Sequence, residues 1–312
     1  MPPMTKMERV RAAVEGQVVD RVPLCFWHHF KPEGSPLALA RMTEEFFGGF
    51  DLDIFKIMPD IRYPFPNESI RSVDDWSLIA DLEPYQGDLG RILDTVEILR
   101  DRIGPETPII VTLFSPLAYA IRFAGAELVG EHMGTNPVQL HHALATLAGN
   151  LRLFNQAAIE AGADGMFFAV HGAGDKLYSD RQYAEFGRPY DLMALAGAGK
   201  GWLTTLHVHA SSDLNIDPFL SYPAPVVSWS DRVTGISLSK VREKAPEKCL
   251  MGGIDESGAI TSGSVEQIRE EIEDAIHQVA GHRFILANGC SVPDDNPEDL
   301  LRAAREALDE IS

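Results

Sequence analysis

The sequence predicts an α/β fold of the (β/α)8 TIM-barrel class with an N-terminal helical extension. Short apolar runs recur along the chain, and a segment with helical periodicity follows each of them. The runs are rich in Val, Ile, Phe and Leu, as expected of strands buried on both faces of a parallel sheet. Eight such units in 312 residues fit a barrel. A doubly wound open sheet is the alternative, but the glycine-rich first turn of its dinucleotide-binding form is missing.

The predicted strands follow one another at intervals that leave room for a helix between each pair. In chain order they are Val22–His28, Ile54–Met58, Pro108–Phe114, Gly165–His171, Trp202–His209, Pro225–Trp229, Leu250–Ile254 and Arg283–Ala287. Between them, residues 138–158 have an apolar stripe with helical spacing, and Ser264 with Gln267 forms a capping box. Asn296 and Pro297 begin the last helix. No linker interrupts the pattern, so we expect one domain over residues 1–312.

Charge and cysteine content exclude several classes of function. The chain has 27 Lys and Arg against 46 Asp and Glu, a net charge of −19, which argues against binding to nucleic acid or to an anionic membrane. Its three cysteines (Cys25, Cys249 and Cys290) are too few and too widely spaced for a disulfide framework. The sequence shows neither a membrane-length apolar stretch nor a signal peptide. We therefore expect a cytoplasmic protein that acts on a small molecule.

The predicted strand ends carry most of the residues with chemical potential. Active sites of TIM barrels lie at the carboxyl ends of the strands. Four of the predicted strands end in or beside His or Cys, and two others end beside Trp or Asp. These residues are His28, His171, His207, His209, Cys290, Trp229 and Asp255.

His207 and His209 are two residues apart, so on a strand both side chains leave the same face. Two imidazoles at a barrel mouth can chelate one metal ion, and Cys290 after the eighth strand would supply a thiolate. Three protein ligands with an open position are typical of catalytic zinc. The alternative interpretation is a pair of hydrogen-bonded histidines that line a polar pocket.

Seven blocks of the sequence carry a resemblance to a known family. They are Arg9–Ala13, Val19–Pro23, Asp51–Ile57, Phe114–Tyr119, Phe186–Asp191, Gly252–Asp255 and Phe284–Glu298. No single block is decisive, but in their order and spacing they resemble the uroporphyrinogen decarboxylase superfamily over nearly the whole chain. The resemblance implies the fold of that superfamily, which is a (β/α)8 barrel.

True porphyrinogen decarboxylases are one branch of that superfamily, and the chain departs from them. Their basic Arg-Gln-Ala-Gly-Arg segment is replaced by Trp27–Lys31, and their late Gly-His-Gly by Asn288–Cys290. A substrate with many carboxylates would lack its arginine clamp. Asp53 and Tyr119 match the catalytic Asp and Tyr of this branch.

The chain is more similar to the zinc methyltransferases, which move a methyl group between a corrinoid protein and a thiol such as coenzyme M. Their ligands follow a His-x-Cys pattern and a late Gly-Cys; here the matching residues are His207-Val208-His209 and Gly289-Cys290. One family cysteine is therefore His209, which makes the metal site one unit more positive. The resemblance implies zinc on His207, His209 and Cys290, and a corrinoid supplied by a partner protein.

The remaining residues receive supporting roles in this interpretation. His28, His171, Asp53 and Tyr119 would shape the pocket or move protons as catalytic residues. Trp229 and Asp255 are assigned to cofactor binding, with Asp255 holding a ligand of the metal in place. Family members include dimers and monomers, and we expect a homodimer.

Three alternatives stay open at this stage. One is a metal-independent decarboxylase of a small organic acid that uses Asp53, Tyr119 and His28, with Arg62 or Arg188 holding a carboxylate. The second is a hydrolase or dealkylase in which zinc activates water. The third is a corrinoid carrier without catalysis, although the Asp-x-His-x-x-Gly motif of such carriers is not found in the sequence.

Overall fold

In the computed structural model, which describes residues 2–65, 69–172, 177–210, 212 and 214–311, eight parallel strands form one sheet. The strands are β1 (Leu24–Cys25), β2 (Phe55–Ile57), β3 (Ile109–Phe114), β4 (Gly165–Val170), β5 (Thr205–Val208), β6 (Val226–Trp229), β7 (Cys249–Ile254) and β8 (Phe284–Asn288). Their order is β1-β8-β7-β6-β5-β4-β3-β2. The prediction of a (β/α)8 barrel is confirmed, and each predicted strand overlaps an observed one.

Helices cover the outside of this nearly closed barrel. They are α1 (Lys6–Glu15), α2 (Pro36–Gly49), α3 (Gly87–Ile103), α4 (Pro116–Ala124), α5 (Ala126–Thr135), α6 (Pro137–Glu160), α7 (Asp180–Phe186), α8 (Arg188–Leu195), α9 (Asp231–Thr234), α10 (Leu238–Lys244), α11 (Ala259–Ser262), α12 (Val265–Val279) and α13 (Glu298–Ile311). Short 3-10 helices span Asp74–Leu78, Gly104–Glu106, Ala196–Ala198 and Asp217–Phe219. Within the described residues, none of these helices is long and apolar enough to cross a membrane.

Three predicted helix signals are confirmed. The apolar stripe over residues 138–158 belongs to α6, which buries Leu144, Leu147 and Leu151 among other residues. The Ser264 hydroxyl accepts a hydrogen bond from Gln267 N, and the Gln267 side chain accepts one from Ser264 N, so the capping box begins α12. The last helix, α13, begins at Glu298, directly after Pro297.

β1 is much shorter than predicted because a side chain replaces its backbone ladder. Leu24 and Cys25 pair with Leu286 and Ala287 of β8. Beyond them, Trp27 N–H donates to Asn288 Oδ1 (3.3 Å), and Asn288 Nδ2 donates to Trp27 O (3.2 Å). The Asn288 side chain therefore ties the segment after β8 to the segment after β1.

Alternation of side chains along the strands divides the apolar residues into two cores. One core fills the barrel interior and includes Ile110, Phe167 and Met251, while a larger core lies between the strands and the helices. Val10 and Val14 of α1 pack into the interior core. Because α1 fills the amino-terminal end of the barrel, the interior is accessible from the carboxyl ends of the strands, where barrel enzymes place their sites.

Candidate active site

A cavity of about 240 Å³ at the carboxyl end of the barrel brings together residues from six strands or the segments that follow them. We call it the inner cavity. Its polar lining includes His171 after β4, His207 and His209 at the end of β5, and Cys290 after β8. Lys56 of β2 lines it as well, and its apolar walls include Trp27, Phe114 and Phe167. The structure thus assembles in one place the three residues that the sequence predicts as metal ligands.

His207 is held rigidly at the base of this group. It is buried, its Nδ1 lies 3.2 Å from Ser228 Oγ of β6, and its ring stacks on Phe167 with the centroids 5.0 Å apart. Burial, and then the neighbouring His209, Lys56 and His171, lowers the pKa of His207 well below its ordinary value. The imidazole is therefore neutral, which is the form that binds a metal ion.

His209 and His171 form the upper part of the cavity wall. Their rings stack with centroids 4.2 Å apart and planes 14° apart. The His207 and His209 centroids are 6.3 Å apart, whereas two imidazoles on one tetrahedral zinc place them about 5 Å apart. Among the described residues, no three His, Cys, Asp or Glu side chains are arranged to hold a metal ion. The donor chemistry nevertheless fits zinc, because two imidazoles and a thiol line one cavity.

Cys290 differs from the other two cysteines in accessibility. Cys25 and Cys249 are fully buried in the interior core, and burial raises the pKa of each thiol to about 12. Cys290 is a free, half-buried thiol in the wall of the inner cavity. It is therefore the thiol that a metal ion or a substrate can reach.

Lys56 is a residue of the site that the sequence analysis missed. Its side chain is buried, and its Nζ donates to Thr112 Oγ1 at 2.8 Å and contacts Met58 Sδ at 3.1 Å. The Nζ also lies over the rings of Trp27 (4.8 Å) and Phe167 (4.0 Å). Burial lowers the pKa of Lys56 to about 7, although Cys25, Cys290 and Asp60 partly oppose the shift. A lysine inside an otherwise apolar strand was the signal that could have identified it.

Replacing Lys56 by methionine is expected to stabilise the fold, with a gain that depends on pH. The pKa of Lys56 is about 7 in the folded protein and 10.5 ordinarily, so the unfolded chain binds more protons between these pH values and stability rises with pH there. Lys56→Met should therefore raise the free energy of unfolding by on the order of 2 kcal/mol at pH 6 and by little at pH 10.

Urea titrations at both pH values measure this gain. Lys240→Met, at an exposed position of α10, is the matched control and should change stability little at either pH. An equal gain for Lys56→Met at pH 6 and pH 10 would contradict the assignment of a buried, titrating ammonium.

The structure places Asp53 at the opposite end of the barrel from the inner cavity. Asp53 precedes β2, and its fully buried carboxylate accepts hydrogen bonds from Arg9 Nη1 (2.7 Å), Arg21 Nη1 (2.6 Å) and Leu24 N (2.8 Å). These contacts tie α1 to the first two strands. The structure therefore places Asp53 at the amino-terminal end of the barrel, away from the inner cavity.

At the carboxyl end of β2 the carboxylate is Asp60, which the sequence analysis did not select. Its Oδ1 lies 2.6 Å from His29 Nδ1, and its Oδ2 accepts Phe30 N–H at 2.8 Å. His29 lines the inner cavity. The predicted His28 instead lines a separate groove, where its ring centroid lies 4.5 Å from that of Phe30 and 4.6 Å from that of Phe46. The pocket position expected of His28 therefore belongs to its neighbour.

Tyr119 lies beside the inner cavity, in the wall of a second one. This outer cavity of about 660 Å³ shares His29, Pro59 and Arg122 with the inner cavity. Tyr119 is buried there, and its burial raises the pKa of the phenol. Since a phenol with a raised pKa stays protonated at neutral pH, Tyr119 offers a ring surface and a neutral hydroxyl.

Trp229 and Asp255 do not face the inner cavity. Trp229 is fully buried in the larger core between the strands and the helices, and its Nε1 donates to Ile236 O at 2.9 Å. Asp255 forms a turn after β7, in which its Oδ1 accepts Ser257 N–H at 2.9 Å. The structure therefore places both residues outside the described lining of the inner cavity.

Comparisons with known proteins agree with this fold. The sequence profile described as Uroporphyrinogen decarboxylase (URO-D) matches residues 54–311. A Methylcobamide:CoM methyltransferase MtaA of Methanosarcina barkeri (strain Fusaro) is 21% identical over 347 aligned residues, covering 99% of each chain. A Uroporphyrinogen decarboxylase of Synechococcus sp. (strain CC9605) is 22% identical and covers 91% of this chain and 81% of its own.

Among solved structures, a methyltransferase from Methanosarcina mazei superimposes with a TM-score of 0.78 at 18% identity, covering 98% of this chain and 99% of its own. The parallel barrel with a polar cavity at its carboxyl end defines the class: a TIM-barrel enzyme. Within that class, the chain belongs to the uroporphyrinogen decarboxylase (URO-D) family. Its relatives include both methyltransferases and decarboxylases.

Proposed function

We propose that this protein is a zinc-dependent methyltransferase of the URO-D family. It moves a methyl group between a corrinoid, carried by a partner protein, and a nucleophile bound in the inner cavity. The observation that carries the proposal is the convergence of His207, His209 and Cys290 on that cavity. The full-length similarity to a protein named Methylcobamide:CoM methyltransferase supports the reaction type.

In this proposal His207, His209 and Cys290 would hold the zinc, and the substrate nucleophile would bind it as well. Bound zinc would supply Lewis acidity, which lowers the pKa of a thiol or similar group so that it is present as a nucleophile near neutral pH. Two neutral imidazoles and one thiolate leave more positive charge on the ion than one imidazole and two thiolates would. Such a site would favour deprotonation of a bound substrate thiol and would lower the nucleophilicity of the resulting thiolate.

The protein itself orients the reacting groups and excludes water. Ser228 fixes the ring of His207 through Nδ1, which leaves Nε2 directed away from that bond. Lys56 places an amine close to the proposed ligands and can hold an anionic substrate atom. The rings of Trp27, Phe114 and Phe167 form apolar walls, and electrostatic interactions are stronger where water is excluded.

Methyl transfer from methylcobalamin to a thiol tests the proposed reaction. The carbon–cobalt electron pair stays on cobalt, which is reduced from Co(III) to Co(I), while the thiolate sulfur forms the new bond to the methyl carbon. Absorbance of the corrinoid reports the reaction, and mass spectrometry of the thioether confirms it. Zinc-loaded enzyme should accelerate the transfer, whereas equal rates for enzyme and free zinc would reject the proposal.

The hydrogen bond between His207 Nδ1 and Ser228 Oγ gives a separate prediction. Ser228→Ala removes the partner of His207 Nδ1 without changing a proposed ligand. Partners of metal-bound histidines typically contribute about 10–100-fold in metal affinity, so zinc should bind about 10-fold more weakly to the variant. Competition with a chromophoric chelator measures this affinity, and an unchanged affinity would show that the Ser228 contact does not orient a ligand.

A second candidate function is a metal-independent decarboxylase, and Lys56 is the observation that favours it. A cation inside the barrel can stabilise the electron pair that remains on carbon when a carboxylate leaves as carbon dioxide. Of the residues expected to act in such an enzyme, Asp53 and His28 lie outside the inner cavity and Tyr119 lies beside it, so Lys56 would have to carry the reaction. Release of carbon dioxide from small organic acids by chelator-treated enzyme, lost in Lys56→Met, would favour this function over methyl transfer.

A further inference from the structure

The outer cavity has a combination of walls and charges that the proposed methyl transfer does not use. It is formed by His29, by the segment Pro59–Phe65 after β2 and by the side chains of Tyr119, Arg122 and Phe123 from α4. Its volume is about 660 Å³, and it meets the inner cavity at His29, Pro59 and Arg122. A molecule bound in the outer cavity therefore lies next to the proposed reaction site.

Aromatic rings form much of the wall. Phe65 stacks on Phe123 with centroids 4.5 Å apart and planes 11° apart, and Tyr63 packs against Tyr119 with centroids 4.9 Å apart. The Tyr63 hydroxyl already accepts a hydrogen bond from Asn150 Nδ2 at 2.8 Å. The walls thus offer ring surfaces, on which a planar ring packs better than a flexible aliphatic chain.

Two guanidinium groups give the outer cavity its positive charge. Arg62 and Arg122 both line it and are exposed, and the Arg122 guanidinium lies 4.1 Å from the centroid of the Phe114 ring. Among the described residues, neither arginine forms an ion pair with a carboxylate, although the chain has a net charge of −19. Among the described residues of the lining the one carboxylate is Asp60, which is already bonded to His29 and to Phe30 N–H.

We propose that the outer cavity binds an aromatic carboxylic acid, whose carboxylate pairs with Arg122 and Arg62 and whose ring packs on the aromatic walls. Aromatic acids would then be the substrate class of the proposed methyltransferase. Binding of the acid is independent of that proposed function, whereas its turnover rests on it. An arginine fork matches a carboxylate bidentately and distinguishes it from a neutral group of the same shape. Because both cavities share Arg122, such an acid lies next to the inner cavity.

Binding of three probes to chelator-treated protein tests the inference without metal or methyl transfer. The probes are benzoate, benzamide (its neutral counterpart) and cyclohexanecarboxylate (an acid without the aromatic ring). Isothermal titration should show benzoate binding about 10-fold more tightly than either of the other two. Equal affinity for benzoate and benzamide, or for benzoate and cyclohexanecarboxylate, would overturn the proposal.

Variants of the arginines identify the residues that bind the acid. Arg122→Gln should weaken benzoate about 10-fold or more and leave benzamide unchanged, and Arg62→Gln should act in the same direction. Arg188→Gln is the matched control, because Arg188 also lies over a ring, that of Tyr222, but is bonded to Pro218 O and Ser221 Oγ. Benzoate binding that is unaffected by both Arg122→Gln and Arg62→Gln would overturn the assignment.

The outcome of this experiment is independent of the outcome for the proposed function. If benzoate binds through Arg122 in a protein that neither holds zinc nor transfers methyl groups, the binding site stands and the methyltransferase proposal fails. If methyl transfer occurs and benzoate does not bind selectively, the aromatic-acid site fails and the methyltransferase proposal stands. Thermal melting curves of each variant verify that the fold is retained.

Discussion

Replacing His207 by alanine is expected to remove zinc from the protein and to lower kcat/KM for methyl transfer at least about 100-fold. His207 is the most deeply held of the proposed ligands, since it is buried between Phe167 and Ser228. The variant would lose this neutral imidazole, which is one of the three proposed protein ligands. His209→Ala and Cys290→Ala should act in the same direction. Elemental analysis after dialysis, and methyl transfer under the same conditions, measure the two effects.

His171→Ala is the matched control for these variants. His171 lies in the same cavity and stacks on His209, but it is not a proposed ligand. The variant should retain zinc near the wild-type content, although its turnover should fall because His209 loses a neighbouring ring. Equal zinc loss in His171→Ala and His207→Ala would indicate a different ligand set. Zinc retention in all three proposed ligand variants would reject the site.

Replacing Asp53 by asparagine is expected to destabilise the fold by about 3 kcal/mol, because the change removes the buried carboxylate that Arg9 and Arg21 share, while Arg9 keeps its pair with Asp20. The Asp53 carboxylate is fully buried and lies 2.7 Å from Arg9 Nη1 and 2.6 Å from Arg21 Nη1. Activity per folded molecule should be unchanged at low temperature, because Asp53 lies at the amino-terminal end of the barrel. Urea unfolding and a methyl-transfer assay at low temperature measure the two quantities.

Asp51→Asn is the control for Asp53→Asn. Asp51 is two residues away and pairs with Lys6, Arg21 and Arg305, but its side chain is 61% exposed. Exposed ion pairs typically contribute about 0–1 kcal/mol, so this variant should be close to wild-type stability. If Asp53→Asn lost activity without losing stability, Asp53 would be catalytic as the sequence resemblance implies.

Most of the barrel could be predicted from the sequence because its strands are buried on both faces. Continuous apolar runs such as Gly165–His171 are typical of strands buried on both faces, and the observed β4 is Gly165–Val170. β1 was overestimated, since its ladder ends at Cys25 and the side chain of Asn288 takes over. A hydrogen bond from a side chain distant in sequence leaves no local pattern.

The errors at the site come from the segment after β1 and from the family resemblance. His28 and His29 are adjacent beyond the end of β1, and a continuous apolar run does not show that only His29 lines the inner cavity. Asp53 precedes β2 and Asp60 follows it, so the order along the chain already favours Asp60 at the carboxyl end, whereas Asp53 was selected from the resemblance. The spacing of His207 and His209 did predict a shared face, because a two-residue period holds within one strand.

The metal site itself is tested most directly by replacing zinc with Co²⁺ in the purified protein and recording its absorption spectrum. A site of two imidazoles and one thiolate predicts one bound cobalt per chain, visible d–d bands of a four-coordinate ion and a near-ultraviolet band from thiolate-to-cobalt charge transfer. Cys290→Ser should lose the charge-transfer band, whereas Cys25→Ser should keep it. A spectrum that shows no thiolate band, or one that Cys290→Ser leaves unchanged, would contradict a zinc site formed by His207, His209 and Cys290.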